Sequence, residues 1–180
     1  MIQIAAYRGI GLISAGIKLA TYSRYSHIGI YFSADMEVFE CGRTHQIAAG
    51  NVIEAWQGGV KLSTSLSERH TKGTPVDLFS FKTPLTPQQE QSGAQFLIQQ
   101  LGKPYDYINV VRFLPIVRAL VPKPAPSVWT RSHVFCSELG LEFSIHAGRT
   151  LLERCDSWQV PPRDLPRSPL LMFDRTVFTA

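Results

Sequence analysis

The spacing of apolar residues changes along the chain, and each change marks an element. Ile2 to Tyr7 reads as a short strand. Ile13, Ile17 and Ala20 then recur at helical spacing within Ile10 to Thr21. Ala15 and Gly16 suggest close packing there. With one lysine as polar face, that helix is expected to pack on the core rather than lie in a membrane interface. Over 25–32 the period falls to two: Ile28, Ile30 and Phe32 share one face of a strand, and His27, Gly29 and Tyr31 share the other. Gly29 beside His27 leaves space, which suits a groove. Strands are predicted over Met36 to Cys41 and Gln46 to Trp56, with a turn near Gly42-Arg43-Thr44. In the second, Val52, Glu54 and Trp56 share a face. Gly58-Gly59 marks a turn, and Val60 to Leu62 and Val76 to Phe81 are further strands.

Thr86-Pro87-Gln88-Gln89 is a helix start, with a threonine cap, proline at the first helical position and glutamine at the third. Ala94, Leu97, Ile98 and Leu101 follow on one face, and Gly102 closes the helix. Ile108 to Leu120 is apolar and predicted helical, with Pro115 interrupting it; Pro122, Pro124 and Pro126 then make 121–130 a stiff loop. Cys136 to Ala147 fits two periods. Leu139, Leu141, Phe143 and Ile145 alternate, while Leu139, Phe143 and Ala147 are four apart. Its length and Gly148 favour a helix buried on more than one face. A short helix is expected at Leu151-Leu152 and a terminal strand from Leu170 to Phe178. With no repeat or linker, residues 1–180 are expected to form one α+β domain.

Composition narrows the function classes. Hydrophobic residues make up 44% and charged residues 18%, values of a folded globular chain. The net charge of +4 is scattered; Arg112, Arg118, Lys123 and Arg131 form only a loose group, so no nucleic-acid partner is expected. Cys41, Cys136 and Cys155 are odd in number and lack a Cys-x-x-Cys spacing, which argues for reduced thiols. Met1-Ile2-Gln3-Ile4 has no basic leader, and no run reaches the ~18 apolar residues of a membrane span. The expectation is a soluble cytoplasmic protein; membrane contact is compatible with the sequence but not predicted by it.

The candidate chemistry centres on His133-Val134-Phe135-Cys136-Ser137-Glu138-Leu139. A thiol at a helix N-terminus feels the positive end of the helix dipole, which favours the thiolate. It needs a base, and His27 on the open face of its strand can serve. The base needs an orienter, and Glu54, the only charge in 46–56, can hold the ring. His45 is an alternative orienter, and His133 an alternative base, although its short spacing from Cys136 disfavours that approach. Cys41 with His45, or His133 with Cys136, have metal-ligand spacing, but each is a single pair. No metal or other cofactor is therefore expected.

The strings YSHIGIYF (25–32), VIEAWQGGV (52–60), LGKPYDY (101–107), FCSEL (135–139) and PPRDLPRSPLL (161–171) resemble the permuted papain-like proteins of the NlpC superfamily, the YaeF/YiiX-like group. In that branch the order is histidine, acidic residue, cysteine, as here. The resemblance implies a circularly permuted papain-like fold: a small, mostly antiparallel sheet with the cysteine helix packed against it. It implies a cysteine hydrolase that cleaves an amide in a peptide-like or N-acyl substrate, with Cys136 as nucleophile, His27 as base and Glu54 as its partner. Tyr105, from the Gly-Lys-Pro-Tyr string, and Ser26 and Ser137, beside base and nucleophile, become substrate-binding candidates. The alternative with the same triad is a lipid acyltransferase or thioesterase, for which Phe113 to Val121 would line an apolar groove.

Overall fold

A strand with six consecutive buried residues must have protein on both faces. β1 (Ile2–Tyr7) is such a strand, and it lies inside the sheet. The computed structural model describes residues 1–107, 133–153 and 156–180. Six strands form one sheet: β2 (His27–Phe32), β5 (Val52–Trp56), β6 (Gly59–Ser63), β7 (Pro75–Phe81) and β8 (Leu171–Phe178) join β1 in the order β6-β5-β2-β1-β7-β8. Every neighbouring pair is antiparallel. β3 (Met36–Glu40) and β4 (Arg43–Ile47) form a separate hairpin. The helices are α1 (Leu12–Thr21), α2 (Pro87–Gln100) and α3 (Cys136–His146). The architecture is thus mixed α and β around a mostly antiparallel sheet. The helix expected from Ile108 to Leu120, the loop at 121–130, the groove segment from Phe113 and Cys155 lie outside the described residues.

The core forms on the side of the sheet that carries Ile4, Ile28, Ile30, Phe32 and Ile53, where α2 and α3 pack. α2 starts where the sequence places it: Thr86 Oγ1 accepts from Gln89 N–H at 3.3 Å, and Gln89 Oε1 accepts from Thr86 N–H at 3.0 Å. α3 is buried on several sides, with Leu139, Leu141 and Phe143 all inside. That all-round burial explains its mixed periodicity. A Cβ on Gly140 would meet Leu165 Cδ1 at 2.8 Å and Ile28 Cγ2 at 3.2 Å, so the missing side chain sets how closely the cysteine helix approaches β2.

Three sequence expectations fail for identifiable reasons. Gln46 to Trp56 is not one strand. Ala48 N–H donates to Asn51 Oδ1 at 2.9 Å, and Gly50 takes a positive φ of 92°, so the chain turns between β4 and β5. Leu151 and Leu152 do not form a helix. Leu151 N–H is taken by Ser144 Oγ at 3.1 Å and its carbonyl by Ser168 Oγ at 2.7 Å, which fixes a bend. α1 does not bury its apolar side: Ile17 is buried, but Leu12, Ala15, Gly16 and Leu19 face outward.

The tight α3–β2 contact gives a testable consequence. Gly140→Val is expected to lower unfolding free energy by about 1–3 kcal/mol in urea titration, because the added atoms meet buried side chains. No measurable loss would mean that the helix can move away from the strand.

Candidate functional site

Strand pairing alone assembles half the site. His27 pairs with Tyr7 across β1, and Gly29 pairs with Glu54 across β5. Residues that pair share a face, so Tyr7, His27, Gly29, Glu54 and Trp56 all project from one side of the sheet. Gly29 leaves the space that this crowd needs: a Cβ there would stand 2.8 Å from Val52 Cγ1 and 3.4 Å from the Tyr7 ring.

Within that space His27 Nε2–H donates to Glu54 Oε2 at 2.7 Å, and both side chains are 1% exposed. His70 Nε2 donates to the same oxygen at 2.8 Å. Ser63 Oγ donates to Glu54 Oε1 at 3.3 Å. A buried carboxylate is costly unless its lone pairs are met, and here three donors meet them. Burial pushes the Glu54 pKa up, but the hydrogen bonds from His27 and His70 outweigh it and hold the group well below the usual carboxylate range. For His27 burial wins: it lowers the imidazole from 6.5 to about 4 against the pull of Glu54. At neutral pH the pair is therefore a carboxylate and a neutral imidazole whose proton sits on Nε2. His27 Nδ1 is then an unprotonated nitrogen, buried and, among the described residues, without a hydrogen-bond partner.

His70 was not singled out by the sequence. It comes from the 64–74 loop, which has no periodicity and carries His70 in no motif. The loop is fixed at both ends. Thr64 N–H and Oγ1 bind Glu68 Oε2, Arg69 binds the carbonyls of Gln57 and Gly59, and Thr71 O accepts from Thr179 Oγ1 at 2.7 Å. The His70 ring stacks on Tyr7, with centroids 3.9 Å apart and planes 25° apart. Trp56 sets its ring at a steep angle to His27, 4.7 Å between centroids. The Tyr7 hydroxyl, like His27 Nδ1, is buried without a partner.

Cys136 arrives from the other side of the sheet. It is the first residue of α3, as expected, and 3% exposed. Its sulfur accepts from the backbone N–H of Ile28, which places it beside the peptide that joins His27 to Ile28. Burial raises the thiol to about 11, and the backbone N–H groups of Ile28, Ser137 and Cys136 itself offset only part of that rise. The thiol at rest is thus protonated. Glu138 at the third helical position is also pushed up by burial, to about 8, which removes a negative charge from the cysteine turn at neutral pH.

Tyr105 reaches the same sulfur. A parallel bridge to Val134 sets its segment beside the entry to α3, with Val134 N–H to Pro104 O at 3.1 Å and Asp106 N–H to Val134 O at 3.1 Å. Burial raises the Tyr105 phenol well above 10, and its hydrogen bond to Cys136 adds to the shift. Ser26 and Ser137 lie next to His27 and Cys136 in the chain, but their hydroxyls are engaged in the scaffold. Ser26 Oγ accepts from Gly9 N–H at 3.1 Å, and Ser137 Oγ donates to Val160 O at 2.6 Å. His45 pairs with Val38 in the separate hairpin, so Glu54, not His45, holds His27. Cys41 is exposed at the turn of that hairpin.

The sequence raised two metal pairs and favoured neither; the fold creates a different group. One donor atom from each of His27, Glu54 and His70 lies within 4.8 Å of the others. Two imidazoles and a carboxylate suit zinc or a similar divalent ion. The set fits as donors. An ion there would replace the protons that both Nε2 atoms now share with Glu54, so ion and present hydrogen bonds exclude each other.

No family model matches the chain, and no curated protein matches it. Among solved structures it is similar to the crystal structure of the metalloprotein YiiX from Escherichia coli O157:H7, with 21% identity, 96% of this chain and 94% of that chain covered, and a TM-score of 0.61. The likeness is one of fold.

The buried neutral imidazole sets a pH dependence. His27 holds its proton with a pKa of about 4 when folded against 6.5 for the free side chain, so on acidification the unfolded chain takes up the proton first. The stability this contributes is complete above pH 6.5 and is lost as pH falls toward 4. Unfolding free energy should fall across that window with a slope from this group of at most about 1.4 kcal/mol per pH unit, and His27→Gln should flatten it. An unchanged slope in the variant would mean that His27 is not buried neutral.

Proposed function

We propose that this chain is a cysteine-dependent hydrolase acting on an amide or related acyl bond, with the permuted papain-like arrangement that its motifs resemble. The observation that carries this reading is the position of the Cys136 sulfur on the N–H of Ile28, the residue that follows His27, whose Nε2 is held by Glu54 and whose Nδ1 has no partner among the described residues. A triad needs a nucleophile at a helix start and a base held in one tautomer with its other nitrogen free.

In this mechanism His27 Nδ1 accepts the thiol proton as Sγ attacks the carbonyl carbon. Backbone N–H groups at the start of α3 receive the charge on the oxygen. The bond from the carbonyl carbon to the leaving nitrogen breaks, and Nδ1 returns the proton to that nitrogen. Water then adds to the thioester, losing its proton to Nδ1, and the acid leaves as Sγ is reprotonated. At rest Sγ is bound by backbone amides and Tyr105 rather than by Nδ1, so substrate entry must turn the sulfur toward the ring. Glu54 keeps the ring oriented and stabilises the imidazolium formed in between.

A second reading rests on the His27–Glu54–His70 group and the description of the YiiX structure as a metalloprotein. There the three side chains hold a divalent ion that would polarise a substrate oxygen or activate water, and Cys136 is a buried structural thiol.

Acylation separates the two. Incubation with p-nitrophenyl acetate followed by peptide mass spectrometry should place the acetyl group on Cys136, and His27→Ala should abolish its formation. Acetylation confined to exposed Cys41, with zinc retained through purification and lost in His70→Ala, would favour the metal reading. The pH profile offers a further check. The acid limb of the acylation rate should lie near the His27 value of about 4 rather than near 6.5.

A further inference from the structure

α1 is built inside out. Among its described side chains the buried ones are Ser14, Ile17 and Thr21, two of them polar. Thr21 Oγ1 is satisfied within the helix, on Ile17 O at 2.8 Å. Its outer side carries Leu12, Ala15, Gly16 and Leu19, the i, i+3, i+4, i+7 stripe that a helix normally turns to the core. Leu12 is 93% exposed and Leu19 77%. Ile10 before the helix and Tyr22 at its C-cap extend the stripe in the open. A contiguous apolar patch of this kind marks a contact surface.

Charge identifies the occupant. Residues 1–34 contain no Asp or Glu, while Arg8, Lys18 and Arg24 lie among them. At the C-terminal end of the stripe, Tyr22 lines a cavity of about 410 Å³ with Arg24, Arg163 and Arg167. Arg163 Nη1 donates to Thr21 O, the open carbonyl end of α1. The acids at this rim are engaged: Asp164 pairs with Arg163 at 3.1 Å, and buried Asp77 is held by Arg8, Tyr25 and Thr176 and lies 3.4 Å from Arg24 Nη2. Asp77 is shared between Arg8 and Arg24, so the rim keeps an excess of positive charge, and an exposed apolar helix face beside it is complementary to acyl chains beneath anionic headgroups. A second copy of this chain would bring the same positive charge to the contact. An anionic bilayer would not.

We propose that α1 and the Arg24–Arg163–Arg167 rim dock this protein on an anionic lipid bilayer. Docking would also place the candidate site at the interface. A second cavity, of about 430 Å³, runs from Ile10 and Leu12 at the start of α1 to Trp56 and His70. The docking surface stands apart from the thiol chemistry and does not require it.

The test is co-sedimentation of the full chain with vesicles of phosphatidylcholine and phosphatidylserine in equal parts, against phosphatidylcholine alone. The protein should pellet with the anionic vesicles only and be released by added salt. Leu12→Glu with Leu19→Glu should weaken binding by at least about tenfold, and Arg24→Gln with Arg167→Glu, which leaves Asp77 its partners Arg8, Tyr25 and Thr176, should do so as well, because each removes one of two required signals. All four side chains are exposed, so circular dichroism and melting should stay as in the parent chain. Cys136→Ala should bind like the parent even if it loses turnover, which separates this surface from the proposed catalysis. Failure of the parent chain to pellet with either vesicle, or binding insensitive to both double variants, would overturn the proposal. So would a dimer on gel filtration that Leu12→Glu with Leu19→Glu dissolves, because it would assign the stripe to a second copy.

Discussion

The site depends on one buried carboxylate. Glu54 sits on a central strand pair, 1% exposed, and could not remain ionised there unaided. It is kept charged by two imidazole N–H donors and a hydroxyl. The same hydrogen bonds hold both rings. His27 gives its Nε2 proton to Glu54 and is thereby fixed as the tautomer with an unprotonated Nδ1, and His70 is oriented by the same oxygen. A change at Glu54 would therefore reach the base, the 64–74 loop through His70, and the aromatic packing of Tyr7 and Trp56 together.

The two halves of the site come from opposite faces of the sheet. His27, Glu54 and Trp56 project on one side, whereas α3 packs on the other against Ile28 and Ile30. They meet at the first residue of β2, where the peptide between His27 and Ile28 offers its N–H to the sulfur. The two faces of one strand thus supply His27 and the support for the helix that begins at Cys136. Gly29 and Gly140 make both approaches close enough, one on each face.

Much of this was legible in the sequence because it follows from period and pairing. Alternation over 27–32 placed His27 opposite Ile28, and alternation over 52–56 put Glu54 and Trp56 on one face. The capping residues at 86–89 located α2. The sequence could not yield His70, because a loop residue is brought in by hydrogen bonds from Arg69 and Thr71 to distant strands, and these leave no periodic trace. It also misjudged α1. The spacing of Ile13, Ile17 and Ala20 is helical, but spacing does not say which side faces the core, and the larger stripe through Leu12 and Leu19 turns outward. The break at 48–51 depends on one asparagine side chain and one glycine with positive φ, local chemistry that an apolar run conceals.

The most direct measurement is nitrogen NMR of the His27 ring in the metal-free protein near neutral pH. A proton on Nε2, an unprotonated Nδ1, and persistence of that state on acidification to about pH 5 are expected from the pKa of about 4. A ring already doubly protonated at neutrality, or one protonated on Nδ1, would contradict the account, because His27 could not then take a proton from Cys136.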